Sequence, residues 1–458
     1  MEILSFPITD VADIIGEQSF CDCSFRKSSF CYEIEIEGGH LFYNTLTKEL
    51  LLIDENEDND YVKRELFKKW FYVPDEFDEL KFVDDIRDVL SCTLCQTHGI
   101  NGYTILTTTD CNARCFYCFE AKSQKITMSD EIANKVVEYI ERSRCKESKE
   151  LAITWFGGEP LCNQRAIDII CVGLKDKGLD YYCTMMSNGY LFDKPTIEKA
   201  KELWNLYKVQ ITLDGTEKIY NKVKAYKNND KNAYERVLNN ISDLLDSGIK
   251  VAIRLNIDAY NIQDVKLLVK ELASRYKHKD GCAVYSHTLF ENNGGCNNKR
   301  THELRKGICD QQRELEKEIV SLGLKCTPYR KKNEFKTNSC MADSPNSIVI
   351  LPDGHLTKCE GCLDGNYVGT IDDEKLNDDM LAYYSSHCDK IEECKTCLLY
   401  PECIRLKVCH EAETCHKEFR EKKILDIKDG IVNLYHSYLK KKKNESDENN
   451  KKMERKLV

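Results

Sequence analysis

The sequence lacks the features by which secreted, membrane-spanning and nucleic-acid-binding proteins are usually identified. No apolar run approaches the roughly 18 residues that indicate a transmembrane helix. The segment from Met1 to Pro7 has neither the basic residues nor the apolar stretch of a signal peptide. The formal net charge is −10 over 458 residues, so the chain has no general electrostatic attraction to nucleic acid or to anionic membranes. We therefore expect a cytoplasmic protein with no nucleic-acid and no membrane partner.

The chain is instead rich in cysteine, with 25 residues of this type among 458. Disulfide bonds are rare in the reducing cytoplasm, and an odd number of cysteines excludes complete pairing within the chain. In that compartment a high cysteine content is typical of metal or cluster ligation, with the remaining thiols buried as small apolar groups. The sequence therefore predicts metal or iron–sulfur sites.

The length of the chain predicts two or three domains rather than one core. Residues 1–100 have the pattern of a small α+β module. An alternating strand begins near Phe30, Gly38-Gly39 predicts a turn, and helical composition follows at 60–70 and 77–90. The module therefore precedes a larger unit with a different pattern of predicted strands and helices.

Residues 101–300 alternate between strand and helix patterns. Strands are predicted at 103–107, 151–156, 182–186, 208–213 and 249–257. Helices are predicted at 130–145, 166–175, 195–204, 233–247 and 262–276. Repeated βα units predict an α/β fold with a parallel sheet and right-handed crossovers, either open or closed into a full or partial barrel.

Beyond residue 300 the alternating pattern stops. Residues 301–420 are rich in cysteine and loops, and residues 421–458 are expected to form a C-terminal helix and a charged tail. The tail, 440–458, is dominated by lysine, glutamate and asparagine, and we expect it to be solvated and frayed.

A C-x3-C-x2-C motif follows the first strand of the alternating region. It comprises Cys111, Cys115 and Cys118, with Tyr117 directly before the last cysteine. Three thiolates can hold three irons of a [4Fe–4S] cluster and leave the fourth iron open for chemistry. A loop at the carboxyl end of a barrel strand is also where active sites of such folds collect. The alternatives are three unrelated thiols or a zinc site that lacks a ligand.

This motif in this setting resembles the radical S-adenosylmethionine (SAM) superfamily. The resemblance implies a partial (β/α)6 barrel over 101–300, with SAM and a [4Fe–4S] cluster as cofactors. Trp155-Phe-Gly-Gly-Glu-Pro resembles the family's Gly-Gly-Glu motif, so Gly157, Gly158 and Glu159 are expected to receive the amino group of SAM. Glycines allow close backbone approach and a carboxylate pairs with an ammonium, which agrees with that role.

The resemblance assigns further SAM contacts more widely over the barrel. The cofactor-binding candidates beyond the Gly-Gly-Glu motif are Tyr117, Ser187, Asn188, Asp214 and Arg254. For Asp214 and Arg254 a purely structural role is an equal alternative. The family often carries a His-Asp-x-x-Arg-like segment after the Asp-Gly turn. This chain has 220–226, Tyr-Asn-Lys-Val-Lys-Ala-Tyr, at that place, so no SAM contact is assigned there.

The cysteines of the C-terminal third resemble a SPASM domain, the extension of radical SAM peptide-modifying enzymes that carries auxiliary clusters. The resemblance implies two [4Fe–4S] clusters. The first would be held by Cys340, Cys359 and Cys409, with Cys326 as a further candidate. The second would be held by Cys394, Cys397, Cys403 and Cys415.

Several features of this cysteine assignment stay open. The step from Cys403 to Cys409 contains five residues where the SPASM pattern has three. Structural zinc is the rival interpretation, since C-x2-C pairs also suit tetrahedral zinc. Cys362 and Cys388 could replace an assigned ligand, and Cys92-x2-Cys95 has no partner spacing that defines a role.

A SPASM enzyme with an added N-terminal module resembles the maturases of ribosomally made peptides. In those enzymes a 5′-deoxyadenosyl radical abstracts a substrate hydrogen, and a small winged-helix-like module binds the leader of the precursor peptide as an added strand. The leading hypothesis is therefore a peptide maturase that forms a thioether or carbon–carbon cross-link. Its implied partners are a precursor peptide and a reductant such as flavodoxin or ferredoxin.

Two other functions compete with this hypothesis. An anaerobic sulfatase-maturing enzyme would oxidise Cys or Ser to formylglycine, and that family has an aspartate base after the second SPASM cysteine. Glu360 stands at that position and is a candidate general base in either enzyme. The remaining alternative is a non-catalytic iron–sulfur electron carrier, which would not bind SAM.

Overall fold

The computed structural model describes residues 2–5, 11, 14–19, 24–54, 59–94, 99–289, 299–326, 335, 337–363, 365–409, 415 and 417–454. Among these, the chain forms an N-terminal α+β module, a larger α/β unit and a cysteine-rich C-terminal region. No helix in these ranges combines the length and the apolar character that a membrane crossing requires.

The N-terminal module contains short antiparallel strands and two helices. Its elements are β1 (Glu2–Ser5), β2 (Phe25–Lys27), β3 (Cys31–Ile36), β4 (Gly39–Asn44), β5 (Leu50–Asp54), α1 (Asn59–Lys68), β6 (Tyr72–Pro74) and α2 (Glu79–Leu94). One sheet has the order β1-β5-β4-β3, and β2 pairs with β6. The expected turn joins β3 to β4, and Gly38 adopts a φ of 85° that a side chain rarely tolerates.

The central unit is built from six consecutive parallel strands and the helices between them. The strands are β7 (Gly102–Thr108), β8 (Leu151–Gly157), β9 (Tyr181–Ser187), β10 (Leu206–Leu213), β11 (Lys250–Ile257) and β12 (Cys282–Thr288). The helices are α3 (Asp130–Ser143), α4 (Gln164–Asp176), α5 (Lys194–Glu202), α6 (Glu217–Lys224), α7 (Ala233–Asp246) and α8 (Ile262–Tyr276). In the described sheet β12 lies at one edge and does not pair with β7, so the strands form an open, partial barrel.

Five of the helices form where the sequence pattern indicates, because they carry an apolar face, and three of them, α3, α4 and α5, also begin with a side-chain cap. In α3 the side chain of Ser129 accepts a hydrogen bond from the Ile132 amide, and Val136, Val137 and Ile140 are buried against the sheet. Two elements of this unit, β12 and α6, were not expected. Both are short, and α6 has a polar sequence, so neither has a strong hydrophobic pattern.

The cysteine-rich region continues the barrel sheet rather than standing apart from it. It follows α9 (Lys299–Ser321) and contains β13 (Ser347–Ile350), β14 (His355–Thr357), β15 (Gly369–Thr370), α10 (Asp378–Ser385) and α11 (Lys417–Glu454). Strand β13 pairs in parallel with β7, and β14 and β15 extend the same sheet. The hairpin that leads to Cys359 is therefore fixed to the strand that leads to Cys111.

The C-terminal helix corrects one expectation. Residues 440–458 were expected to be frayed, but α11 continues to Glu454. Lysine and glutamate have high intrinsic helix propensity, which allows a polar segment to extend a helix that is anchored elsewhere. The anchor is Ile431, which is buried with Leu41 and Leu50 of the N-terminal sheet.

Candidate functional site

The three cysteines of the C-x3-C-x2-C motif lie together on the loop between β7 and the short turn Phe119–Lys122. Burial raises the pKa of all three thiols, that of Cys111 to about 12, and Cys115 raises the pKa of both its neighbours electrostatically. The Ala113 amide donates to Cys111 Sγ at 3.4 Å. The loop thus collects half-buried sulfur atoms and a backbone donor in one place.

This donor set fits an iron–sulfur cluster. Within the described ranges, no three His, Cys, Asp or Glu side chains are arranged to hold a single metal ion. A [4Fe–4S] cluster needs no such convergence, because each thiolate binds a different iron. Iron binding must displace the thiol protons that burial now retains, so Cys111, Cys115 and Cys118 would hold the cluster only as thiolates.

The two glycines of the Gly-Gly-Glu segment let the loop after β8 pack directly on the cysteine loop. A Cβ atom on Gly157 would lie 2.2 Å from the Thr108 carbonyl oxygen, and one on Gly158 would lie 2.2 Å from that of Asp110. Gly157 also has a φ of 116°. The amide of Gly158 donates to Thr108 O at 3.0 Å. The glycines thus fix the position of the cysteine loop, in addition to the SAM contact that the sequence predicts.

Glu159 is fully buried at the centre of the site. Its carboxylate accepts hydrogen bonds from Ser187 Oγ at 2.9 Å, from the Asn188 amide at 2.8 Å and from the Leu161 amide at 3.3 Å. Burial nevertheless raises the pKa of Glu159 to about 7. A cationic ligand beside this carboxylate would keep it ionised at neutral pH.

The loop after β9 is also joined to the cysteine loop. Asn188 Nδ2 donates to Asn112 Oδ1 at 2.7 Å and lies 3.9 Å from Cys111 Sγ. The structure therefore brings together Cys111, Glu159, Ser187 and Asn188, as the sequence predicted.

Asp214 and Tyr117 form a buried cluster with a lysine that the sequence analysis missed. Lys224 Nζ lies 3.1 Å from Asp214 Oδ2, and Tyr117 donates its hydroxyl to Asp214 Oδ1 at 2.7 Å. Lys224 and Asp214 are 2% and 1% exposed. Burial would lower the pKa of Lys224, but Asp214 and Tyr117 raise it well above its ordinary value. The cation acts in turn on Cys115, whose pKa it lowers against the effect of burial.

Lys224 lies in the 220–226 segment that departs from the family pattern. The available signal was its position, since Lys224 is the fifth residue of the Tyr-Asn-Lys-Val-Lys-Ala-Tyr segment and stands where the family's His-Asp-x-x-Arg pattern has its arginine. Its partner, Asp214, is a residue that the sequence did single out. The geometry shows Asp214 in an ion pair with Lys224.

Arg254 lies on β11 and contacts the same network indirectly. Its Nε donates to Asn256 Oδ1 at 3.0 Å, and Asn256 Nδ2 lies 3.3 Å from Asp214 Oδ1. Burial, followed by the charge of Arg254, lowers the pKa of His287 on β12 to about 4. Arg254 therefore adds positive charge to the sheet, and its contact with SAM stays a prediction.

Glu360 lines a cavity of about 320 Å³ on the sheet. The lining is Gly102, Tyr103, Thr104, Ala152, Thr154, Phe156, Met186, Met341, Ser347 and Glu360. Apart from Glu360 these residues are uncharged, and they come from β7, β8, β9 and the cysteine-rich region. A larger cleft of about 580 Å³ lies near Lys149, Asp180 and Asn205, at the amino ends of the strands, which is the face opposite the expected chemistry.

The second set of C-terminal cysteines is brought together. Cys415 and Cys394 raise the pKa of Cys397, and Cys415 and Cys397 raise that of Cys403, in both cases after the larger effect of burial. Arg420 Nη1 donates to Cys415 Sγ at 3.2 Å. Cys394, Cys397, Cys403 and Cys415 thus lie within electrostatic reach of one another, and their role as cluster ligands stays a prediction.

The first set is less completely gathered. Cys359 shares a hydrogen bond with Cys362, which with burial raises its pKa, and Cys340 interacts electrostatically with Cys409 and Glu360. Cys326 is half-buried and packs against the main core, as do Cys359, Cys362 and Cys409.

Two cysteine positions lie beyond what the structure shows. Cys92 is on α2, but its side chain falls outside the described residues, and so does all of Cys95. The sequence analysis also overlooked Cys162, whose charge raises the pKa of Cys111.

Comparison with known proteins gives consistent results. The radical SAM superfamily matches residues 105–272. The radical SAM cyclopropyl synthase TigE of Paramaledivibacter caminithermalis is 26% identical over 262 residues, which are 50% of this chain and 54% of TigE. The Fe-coproporphyrin III synthase of Methanosarcina barkeri is 25% identical over 155 residues, 34% of this chain and 36% of that protein. The matches thus span about half or less of these relatives.

Solved structures share the fold. Native anSMEcpe with bound AdoMet has a TM-score of 0.56 at 15% identity, covering 72% of this chain and 100% of that one. Its complex with AdoMet and the Cp18Cys peptide has a TM-score of 0.53 at 16% identity, with 73% and 99% covered. The expected α/β barrel fold is confirmed.

Proposed function

We propose that this chain is a peptide maturase. The premise is its radical SAM domain, which uses a [4Fe–4S] cluster and SAM. Its reaction would be an intramolecular cross-link, as a thioether or a carbon–carbon bond, in a ribosomally made precursor peptide. When bound, the cluster and SAM supply hydrogen-atom abstraction. The residues of the chain supply binding, orientation and exclusion of water.

The observation that carries this proposal is the attachment of a further cysteine-bearing segment to the barrel sheet. Through β13 and β14, the segment that carries Cys359 and Glu360 is paired with β7, which leads to Cys111. A protein that only bound SAM would not require additional thiols fixed to the same sheet. The peptide-bound structure of anSMEcpe supports a peptide as the substrate class.

The site residues divide the work by position. Cys111, Cys115 and Cys118 would hold the cluster, while Glu159 offers a buried carboxylate to the ammonium of SAM. Lys224 compensates the negative charge that accumulates next to Cys115.

Glu360 is the proposed general base for the substrate. It carries the charge of the otherwise uncharged lining of the 320 Å³ cavity, so it can accept a proton from a substrate group held there.

The N-terminal module supports leader recognition by strand addition. Within the described sheet, β3 pairs only with β4, which leaves its other edge open. An extended peptide can add to such an edge through main-chain hydrogen bonds. The burial of β3 alternates along its length, so an added strand would meet alternating apolar and charged positions.

The test is anaerobic reconstitution of the wild type and of a Cys111/Cys115/Cys118→Ala variant, with iron counted per chain. We expect about twelve irons in the wild type, from three [4Fe–4S] clusters, and about four fewer in the variant. The variant should lose reductive SAM cleavage. Incubation of the wild type with a co-encoded precursor peptide should remove the mass of two hydrogen atoms. SAM cleavage that survives the triple substitution would contradict the proposal.

A second candidate function is formylglycine formation, which the position of Glu360 in the cavity also favours. Mass spectrometry of a cysteine-containing peptide separates the two reactions. Formylglycine formation removes the sulfur atom from the peptide, whereas a thioether or carbon–carbon cross-link retains it. An electron carrier would neither bind SAM nor change the mass of the peptide.

A further inference from the structure

The N-terminal module contacts the loop that carries Cys394, Cys397 and Cys403. Thr45 Oγ1 donates to the Leu398 carbonyl at 2.6 Å. Lys48, itself only 4% exposed, forms an ion pair with Glu402. These contacts join residues more than 300 positions apart in the sequence, so the loop is shaped by a different part of the chain.

Arg87 of α2 makes the most extensive of these contacts. Its Nη2 donates to the Tyr400 carbonyl at 2.6 Å and to the Cys403 carbonyl at 3.2 Å. Its Nη1 donates to Asp84 Oδ1 at 3.1 Å, and its guanidinium carbon lies 5.2 Å from the centre of the Tyr400 ring. Arg87 is 9% exposed. It is thus a buried cation next to the backbone of a proposed cluster ligand.

One donor of this cation is not satisfied. The Nε atom of Arg87 is buried and has no hydrogen-bond partner among the described residues. A buried N–H without a partner costs free energy, and the charge of Arg87 interacts electrostatically with Cys403. Two other arginines act on the thiols of this loop, Arg405 and Arg420. Both are more exposed than Arg87, so solvent and salt screen their charges more strongly.

We propose that Arg87 is a positioning residue for the auxiliary iron–sulfur site of Cys394, Cys397, Cys403 and Cys415, so that the N-terminal module completes that site. The inference rests on the auxiliary cluster of the proposed function. Two effects follow from the geometry. The two carbonyl contacts hold Cys403 in place, and the buried charge stabilises the more negative, reduced state of the cluster. Docking of the module and the redox behaviour of the cluster are therefore coupled.

The experiment uses the full chain in a Cys111/Cys115/Cys118→Ala background, so that only auxiliary clusters contribute iron and spectra. Arg87→Met removes the charge and the contacts, and Arg87→Lys retains the charge. Lys390→Met is the matched control for charge, since Lys390 pairs with Asp84 at the same interface but is half exposed. Thr45→Val is the control for loss of one uncharged contact to the loop.

Iron per chain, the electron paramagnetic resonance spectrum of the reduced protein and the midpoint potential are measured for each variant. For Arg87→Met we expect either loss of one cluster's iron or a shift of one cluster to a lower potential. Arg87→Lys should recover much of that potential, and both controls should match the parent.

Each contrary result has a distinct meaning. Unchanged iron content and midpoint potential in Arg87→Met would overturn the role of Arg87. An equal loss of iron in Thr45→Val would also overturn it, because the effect would then come only from weaker docking of the N-terminal module. A parent protein that binds no auxiliary iron would instead overturn the proposed auxiliary site itself.

Discussion

Replacement of Lys224 by methionine should destabilise the barrel strongly. The substitution leaves the carboxylate of Asp214, which is 1% exposed, without the cation that lies 3.1 Å away. Removal of one partner from a buried ion pair costs about 3–5 kcal/mol, because the remaining charge is neither solvated nor paired. In a unit of roughly 190 residues each kcal/mol lowers Tm by about 2–4 °C, so we expect a decrease of about 10 °C.

The assay is thermal unfolding of the full chain by circular dichroism, with the Lys224→Met/Asp214→Asn double variant as control. The double variant removes both charges, so it should recover at least half of the lost stability if the cost comes from an unpaired carboxylate. The hydrogen bond from Tyr117 can be kept by the asparagine oxygen. A decrease below about 2 °C for the single variant, or a double variant no more stable than the single one, would refute this account of the pair.

Three further predictions concern other parts of the molecule. Burial raises the pKa of Glu159 from 4.5 to about 7, so the cluster-free protein should lose about 3 kcal/mol of stability from this group as pH rises from about 4.5 to 7. Melting curves recorded at successive pH values test this, and Glu159→Gln should flatten that part of the stability profile. An unaltered slope in the variant would count against the prediction. Gly158→Ala places a Cβ 2.2 Å from Asp110 O, so the cysteine loop must shift, with a cost of about 1–3 kcal/mol and reduced iron retention on reconstitution. In the control Gly178→Ala, the φ of 65° strains the backbone but the Cβ has open space. Because Gly178 lies at the amino ends of the strands, away from the cysteine loop, its substitution should leave iron content unchanged. Ile431→Ala should lower the free energy of unfolding by about 2–5 kcal/mol, because it removes the contact with Leu41 and Leu50. Limited proteolysis within residues 1–94 should therefore be faster than in the wild type. Equal cleavage rates in the variant and the wild type would contradict the prediction.

Strands and helices with strong local patterns were predictable from the sequence. The expected strand 151–156 became Leu151–Gly157, and the expected helix 262–276 was reproduced in full. In both elements the hydrophobic periodicity is strong, and in the strand the fully buried residues alternate with partly exposed ones. Strand β12 was missed because Cys282–Thr288 mixes polar and apolar residues and has no helix of similar pattern directly after it.

Contacts between distant segments were not predictable. The resemblance to a SPASM domain indicated which thiols belong together near Cys394 and Cys415, and these cysteines follow each other closely in the sequence. Nothing local indicated that Arg87 would reach the Tyr400 carbonyl, 313 residues away. The pairing of Lys224 with Asp214 was missed for a related reason, since it depends on how the end of α6 folds back over the end of β10.

The path of α11 also determines how this protein can be divided into fragments. The helix begins beside Cys415 and ends its packing against the sheet of the N-terminal module, through Ile427, Ile431 and Tyr435. A fragment limited to residues 1–94 would expose that apolar sheet face to water and invite aggregation. A fragment that keeps this sheet face covered should therefore join residues 1–94 to 417–440, and it would still expose Val83 and Ile86, which pack with Tyr400. Shortening the carboxyl end to before Ile427 should accordingly destabilise the module at the opposite end of the chain.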